Sequence, residues 1–73
     1  MELLKVKVLL CFLTMRETDL TVTNLAVVLG EEKYAISRLF TSMEKEGLLD
    51  RTNKRKPVLT ESGMRTANIY RHK

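Results

Sequence analysis

The sequence predicts a mainly α domain with a small two-stranded β-hairpin, and three observations predict it. Two helical apolar stripes, over residues 21–29 and 32–46, stand either side of Gly30. A broader stripe over residues 2–15 precedes them. Two strand-like runs, 48–52 and 57–60, then flank the basic stretch Asn53-Lys54-Arg55-Lys56, and a helical pattern resumes over 61–71. Seventy-three residues make one domain, 1–73, near the lower limit at which a single apolar core suffices.

The first helix is expected over Glu2 to Met15. Leu3, Val6, Leu10 and Leu13 fall on one face at helical spacing, and Leu4, Val8 and Phe12 widen it. About half of this helix is expected to pack on Leu25, Leu29, Leu39 and Phe40, leaving the rest for a second chain to cover. Glu2, Lys5 and Lys7 interrupt the apolar start and no small-residue cleavage site follows, so a mature amphipathic helix is expected rather than a signal peptide. No apolar run approaches the roughly 20 residues of a membrane span, and the single cysteine, Cys11, read as a buried hydrophobe, leads to the expectation of a cytoplasmic chain. Arg16 to Asp19 reads as a polar connector.

The second helix has a legible start. Thr21 is a good N-cap, Leu20 is spaced to clip onto Leu25, and Asn24 in place of Glu or Gln leaves the capping box incomplete. Leu25, Val28 and Leu29, with Ala26, are the expected buried face, and Gly30 follows where a left-handed residue would end the helix. The third helix is expected over Glu32 to Glu46. Ile36, Leu39, Phe40 and Met43 form its core stripe, Glu31 and Glu32 suit its positive end, and Gly47 closes it.

Leu48–Thr52 and Pro57–Thr60 are the expected strands. Asn-Lys lacks the Asn-Gly turn preference, and Pro57, which cannot donate to a ladder, belongs at a strand start or edge. Thr60 is the expected N-cap of a last helix, Glu61 to about Arg71, with Met64, Ala67 and Tyr70 partly apolar and Gly63 weakening its first turn.

Charge is unevenly placed. Residues 1–50 carry six Lys/Arg against eight Asp/Glu, and residues 51–73 carry seven against one. Such asymmetry fits either a polyanion-binding face or a solvated tail. Cys11 is the single cysteine, which excludes an internal disulfide and a thiolate-rich zinc site and suits a small buried hydrophobe. There is no carboxylate pair with a positioned partner, no Ser/His/Asp set (His72 is terminal) and no Gly-rich phosphate loop, so no enzyme, metal or cofactor is expected.

The runs LTVTNLAVVLG, YAISRLFTSMEKEGLLDR and VLTESG, spanning residues 20–63, resemble in order and spacing the winged helix-turn-helix domain of MarR-type bacterial transcriptional regulators. The resemblance implies a three-helix core with a two-stranded wing and a C-terminal helix: helix-turn-helix over about 21–46, wing over about 48–60, terminal helices 2–15 and 61–71. It implies a regulator that binds double-stranded DNA, with the third helix in the major groove. Matching positions are Lys33, Tyr34, Ser37, Arg38 and Thr41 on that helix, Arg51 at the wing's start, and Lys54, Arg55 and Lys56 at its tip. Thr21 and Thr23 match positions that hold a phosphate. Two departures stand out: Glu32 replaces the family's Ser or Thr, and the terminal helices are short, which argues against a small-molecule effector.

Each candidate also has a plain structural role. Arg38 suits a guanine or a phosphate, or is a solvated arginine beside Ser42 or Asp50. Tyr34 suits a sugar or thymine methyl, or packs on the turn. Lys33 and Ser37 also populate any exposed face, and the three tip cations suit phosphate or simply keep a turn soluble. A homodimer through the terminal helices is expected, which would set two recognition helices about one DNA turn, roughly 34 Å, apart. The alternative is a winged-helix protein–protein interaction module that does not read DNA sequence.

Overall fold

A computed structural model describes residues 3–53 and 55–72 of the chain. These residues form α1 (Leu3–Thr14), α2 (Val22–Leu29), α3 (Lys33–Lys45), β1 (Leu49–Asp50), β2 (Val58–Leu59) and α4 (Glu61–Arg71). The architecture is mainly helical, with one small antiparallel hairpin that pairs Leu49 with Leu59 and Asp50 with Val58. No described helix is long and apolar enough to cross a membrane.

The polar connector after α1 winds into a single 3₁₀ turn, Glu17–Asp19, and α2 then starts as its sequence dictates. Thr21 Oγ1 accepts the Asn24 amide at 3.1 Å, satisfying one orphan donor of the first turn. Both α2 and α3 end on a left-handed glycine. Gly30 (φ 66°) donates to Val27 O while Glu31 donates to Ala26 O, and Gly47 (φ 76°) donates to Glu44 O while Leu48 donates to Met43 O. These are paired Schellman bonds, and they turn the chain sharply without leaving the last carbonyls bare.

Two of the expected faces differ from those observed. On α2 the inward stripe is Val22, Leu25, Ala26 and Leu29; Val28 stands one residue, about 100° of helix, to its side and is 59% exposed. On α1 the centre of the buried face is Val8 and Leu9, both fully buried, while Leu3 is exposed and Val6, Leu10 and Leu13 are half-buried. The cause is α4, which lies along α1 and wraps it within the same chain. Only Leu3, Lys7 and Thr14 of α1 are exposed, so α1 is covered nearly all round and is less amphipathic than expected. Cys11 is half-buried rather than buried, and burial pushes its thiol up from the ordinary value.

Phe40, Leu9, Leu25, Ile36, Met43 and Val8 are the largest fully buried side chains. Phe12 meets Phe40 with ring centroids 5.9 Å apart and planes tilted by 54°, a favourable aromatic geometry. Lys5 Nζ donates to Glu46 Oε1, joining α1 to the end of α3, and Ser42 Oγ donates to the same oxygen at 3.2 Å. The Lys5 hydrogen bond holds the Glu46 carboxyl below its usual range.

Gly63 has a different role from the weak helix residue expected. It is buried, and a Cβ built on it would stand 2.1 Å from the Leu48 carbonyl oxygen. Thr60 caps α4 by accepting the Gly63 amide at 3.0 Å and donates its hydroxyl to Gly47 O at 2.5 Å. Its own amide donates to Leu48 O at 3.0 Å. One threonine thus joins the end of α3, the root of the hairpin and the start of α4.

Candidate nucleic-acid interface

The outer side of α3 is set by its core stripe. With Ile36, Leu39, Phe40 and Met43 buried, Lys33, Tyr34, Ser37, Arg38 and Thr41 are left exposed. Tyr34, Ser37, Arg38 and Thr41 line one shallow depression together with Ser42 and Lys45. Lys33 is exposed but does not line it. Thr41 Oγ1 donates to Ser37 O at 3.2 Å, so its donor is committed within the helix and it offers lone pairs and a methyl group outward. Glu44, exposed one turn beyond Thr41, is where this side of α3 becomes acidic.

Arg38 lies beside Ser42 in this depression but pairs with neither Ser42, whose hydroxyl donates to Glu46, nor Asp50. Its guanidinium carbon lies 5.6 Å from the centroid of the Tyr34 ring, a cation–π pair worth roughly 0.5–1 kcal/mol at an exposed site. Tyr34 therefore packs on the arginine rather than on the turn. Glu32, the N-cap of α3, makes no side-chain cap hydrogen bond.

The hairpin loop is shaped by its own side chains, which replaces the missing Asn-Gly signal. Asp50 Oδ1 accepts the Thr52 amide at 2.9 Å and the Thr52 hydroxyl at 2.6 Å. These bonds, the hydroxyl's first, hold the Asp50 carboxyl below its usual value. Asn53 Oδ1 accepts the Arg55 amide and Asn53 O accepts the Lys56 amide, each at 3.0 Å. Both are local turn devices that Asp and Asn provide.

Two of the three expected tip cations, Arg55 and Lys56, line different grooves. Arg55 shares a groove with Arg51 and Thr21, floored by Leu20, Val22, Phe40 and Pro57. Lys56 lines a different groove, with Glu17, Asp50, Thr52, Asn53 and Val58, where two carboxylates are its neighbours. Lys54 lies outside the described residues. Arg51 is half-buried, its guanidinium carbon 5.6 Å from the Phe40 ring centroid, so the hairpin's first cation is anchored to the core. Thr21 is half-buried as the α2 cap, and Thr23 is exposed outside both grooves.

Sequence reasoning missed Ser42 and Lys45 as site residues. Ser42 lies four residues after Arg38 and Lys45 four after Thr41, so helical spacing alone places both on the same side. Among the described residues no group of three or more His, Cys, Asp or Glu is placed to hold a metal ion. Comparison with protein-family models, with curated proteins and with solved structures finds no match to this chain.

Proposed function

We propose that this chain is a sequence-specific double-stranded DNA-binding transcriptional regulator with a winged helix-turn-helix fold, similar to the MarR type. In this reading α3 enters the major groove, the hairpin is the wing that reaches the backbone or minor groove, and no catalysis is involved. Two copies pair through α1 and α4, whose exposed apolar residues are Leu3, Met64 and Ile69.

The observation that carries the reading is the depression on α3. Hydroxyls of Tyr34, Ser37, Thr41 and Ser42 are interleaved there with the cations Arg38 and Lys45, and no carboxylate lines it. Base edges flanked by phosphates call for that mixture of hydrogen-bonding and positive groups. Selection of bound sequences from a random duplex pool tests it, with enrichment of a palindrome expected. Log K is expected to fall against log salt with a slope of roughly −4 per chain, twice that for a dimer. The adjacent, exposed Val27 and Val28 favour the interaction-module reading, which gains if no duplex affinity appears at low salt.

A further inference from the structure

The groove between the start of α2 and the root of the hairpin combines an apolar floor with two positive groups. Leu20, Val22, Phe40 and Pro57 form the floor; Arg51 and Arg55 are its charged residues, with Thr21 beside them. Among the described residues neither arginine has a carboxylate within ion-pair distance, since the pairs formed are Lys5–Glu46 and Arg65–Glu61. Arg51 rests on the Phe40 ring, and the backbone of Arg55 is tied to Asn53 Oδ1.

Two like charges held in one groove repel each other, and an anion between them converts that repulsion into two attractions. The planar guanidinium fork matches phosphate oxygens in particular. The groove, about 290 Å³, lies just below the range of small-molecule sites. The first turn of α2 borders it at Thr21, and the amides there add positive potential.

We infer that Arg51 and Arg55 grip one and the same DNA backbone phosphate in this groove, with the adjoining deoxyribose against Leu20, Val22 and Pro57. The inference rests on the proposed DNA reading and deepens it. The two arginines count as one phosphate contact, shared between the hairpin and the start of α2, instead of two independent contacts along the wing.

The test compares salt slopes of duplex binding for the full chain, Arg51→Ala, Arg55→Ala and the double variant. The double variant is expected to lose about 0.9 in slope per bound chain, one phosphate's worth. A loss of about 1.8 per bound chain means two separate phosphates and overturns the inference while leaving DNA binding intact. A second measurement uses duplexes neutralised by a methylphosphonate at the same single position of each half-site. At one position the wild type is expected to lose affinity, and on that duplex both arginine substitutions are expected to change binding less than twofold. Silencing of the two substitutions at two different positions overturns the inference. Arg51→Lys, which keeps the charge and the stem over Phe40 but not the fork, serves in this scan if Arg51→Ala does not fold. Absence of wild-type duplex binding at low salt is read before any variant and overturns the DNA reading itself.

Discussion

The carbonyl oxygen of Leu48 occupies the space that a side chain on Gly63 would need: an added Cβ would lie 2.1 Å away, against backbone that cannot rotate aside. The first turn of α4 therefore rests directly on the chain leaving α3. Any residue larger than glycine must push the helix off the hairpin root.

Gly63→Ala is accordingly expected to destabilise the fold, although helix propensity alone predicts a gain of about 1 kcal/mol. Overpacking against fixed backbone costs about 1–3 kcal/mol, occasionally more, and the clash outweighs the propensity. Urea denaturation monitored by circular dichroism measures the difference. A stabilised variant would show that the first turn of α4 does not rest on the Leu48 carbonyl.

Thr60→Ala is expected to cost about 1–2 kcal/mol, the upper part of the range for an N-cap. The hydroxyl both accepts from Gly63 and donates to Gly47, so its removal strips two partners at once. Thr60→Ser is expected to restore most of the loss in the same denaturation experiment. Equal losses from Ala and Ser would mean that the methyl group, and not the hydroxyl, holds the joint.

Asp50 supplies a pH-dependent contribution. The Thr52 hydroxyl and amide hold its carboxyl below the ordinary value, which is near 4, so the fold favours the ionised form. That contribution is complete above the unfolded value and fades as pH falls below about 4, through the folded one. Carboxyl-detected NMR titration is expected to show the Asp50 midpoint rise on Thr52→Ala. An unmoved midpoint would assign the effect to another group.

On the proposed DNA reading, Arg38→Ala is expected to lose about 1–3 kcal/mol on the selected site and to relax preference at one base pair. Replacing Lys54, Arg55 and Lys56 together by Ala is expected to weaken specific and random duplexes alike and to flatten the salt slope. Fluorescence anisotropy on both duplexes separates the two. Identical behaviour of the variants on both would remove base reading from α3.

Much of this architecture was legible because its signals are local. Thr21, Gly30, Gly47 and Thr60 announce helix ends through bonds within a few residues, and each does so here. Failures came where another element decides. Val28 fits a helical stripe on paper, yet α2 is eight residues long and buries one side only. The buried face of α1 was misplaced because α4, fifty residues on, chooses it. Gly63 reads as a weak helix former until Leu48 is seen beside it. At the candidate interface, helical spacing found the exposed side of α3 and passed over Ser42 and Lys45. No periodicity announces that Arg55 and Lys56, neighbours in sequence, line different grooves.

The hairpin has two rungs, and a ribbon that short does not hold a direction by itself. Its aim is set at the root, where Gly47, Leu48, Thr60 and Gly63 interlock, and by Arg51 lying on Phe40. Its reach is set elsewhere, by the number of residues between Asp50 and Val58. Lengthening that loop costs little closure entropy, about 0.6 kcal/mol per doubling. Aim and reach are therefore separable quantities in this chain. A longer tip would extend along a heading that the helices have already fixed, whereas a change at the root would redirect the whole arm.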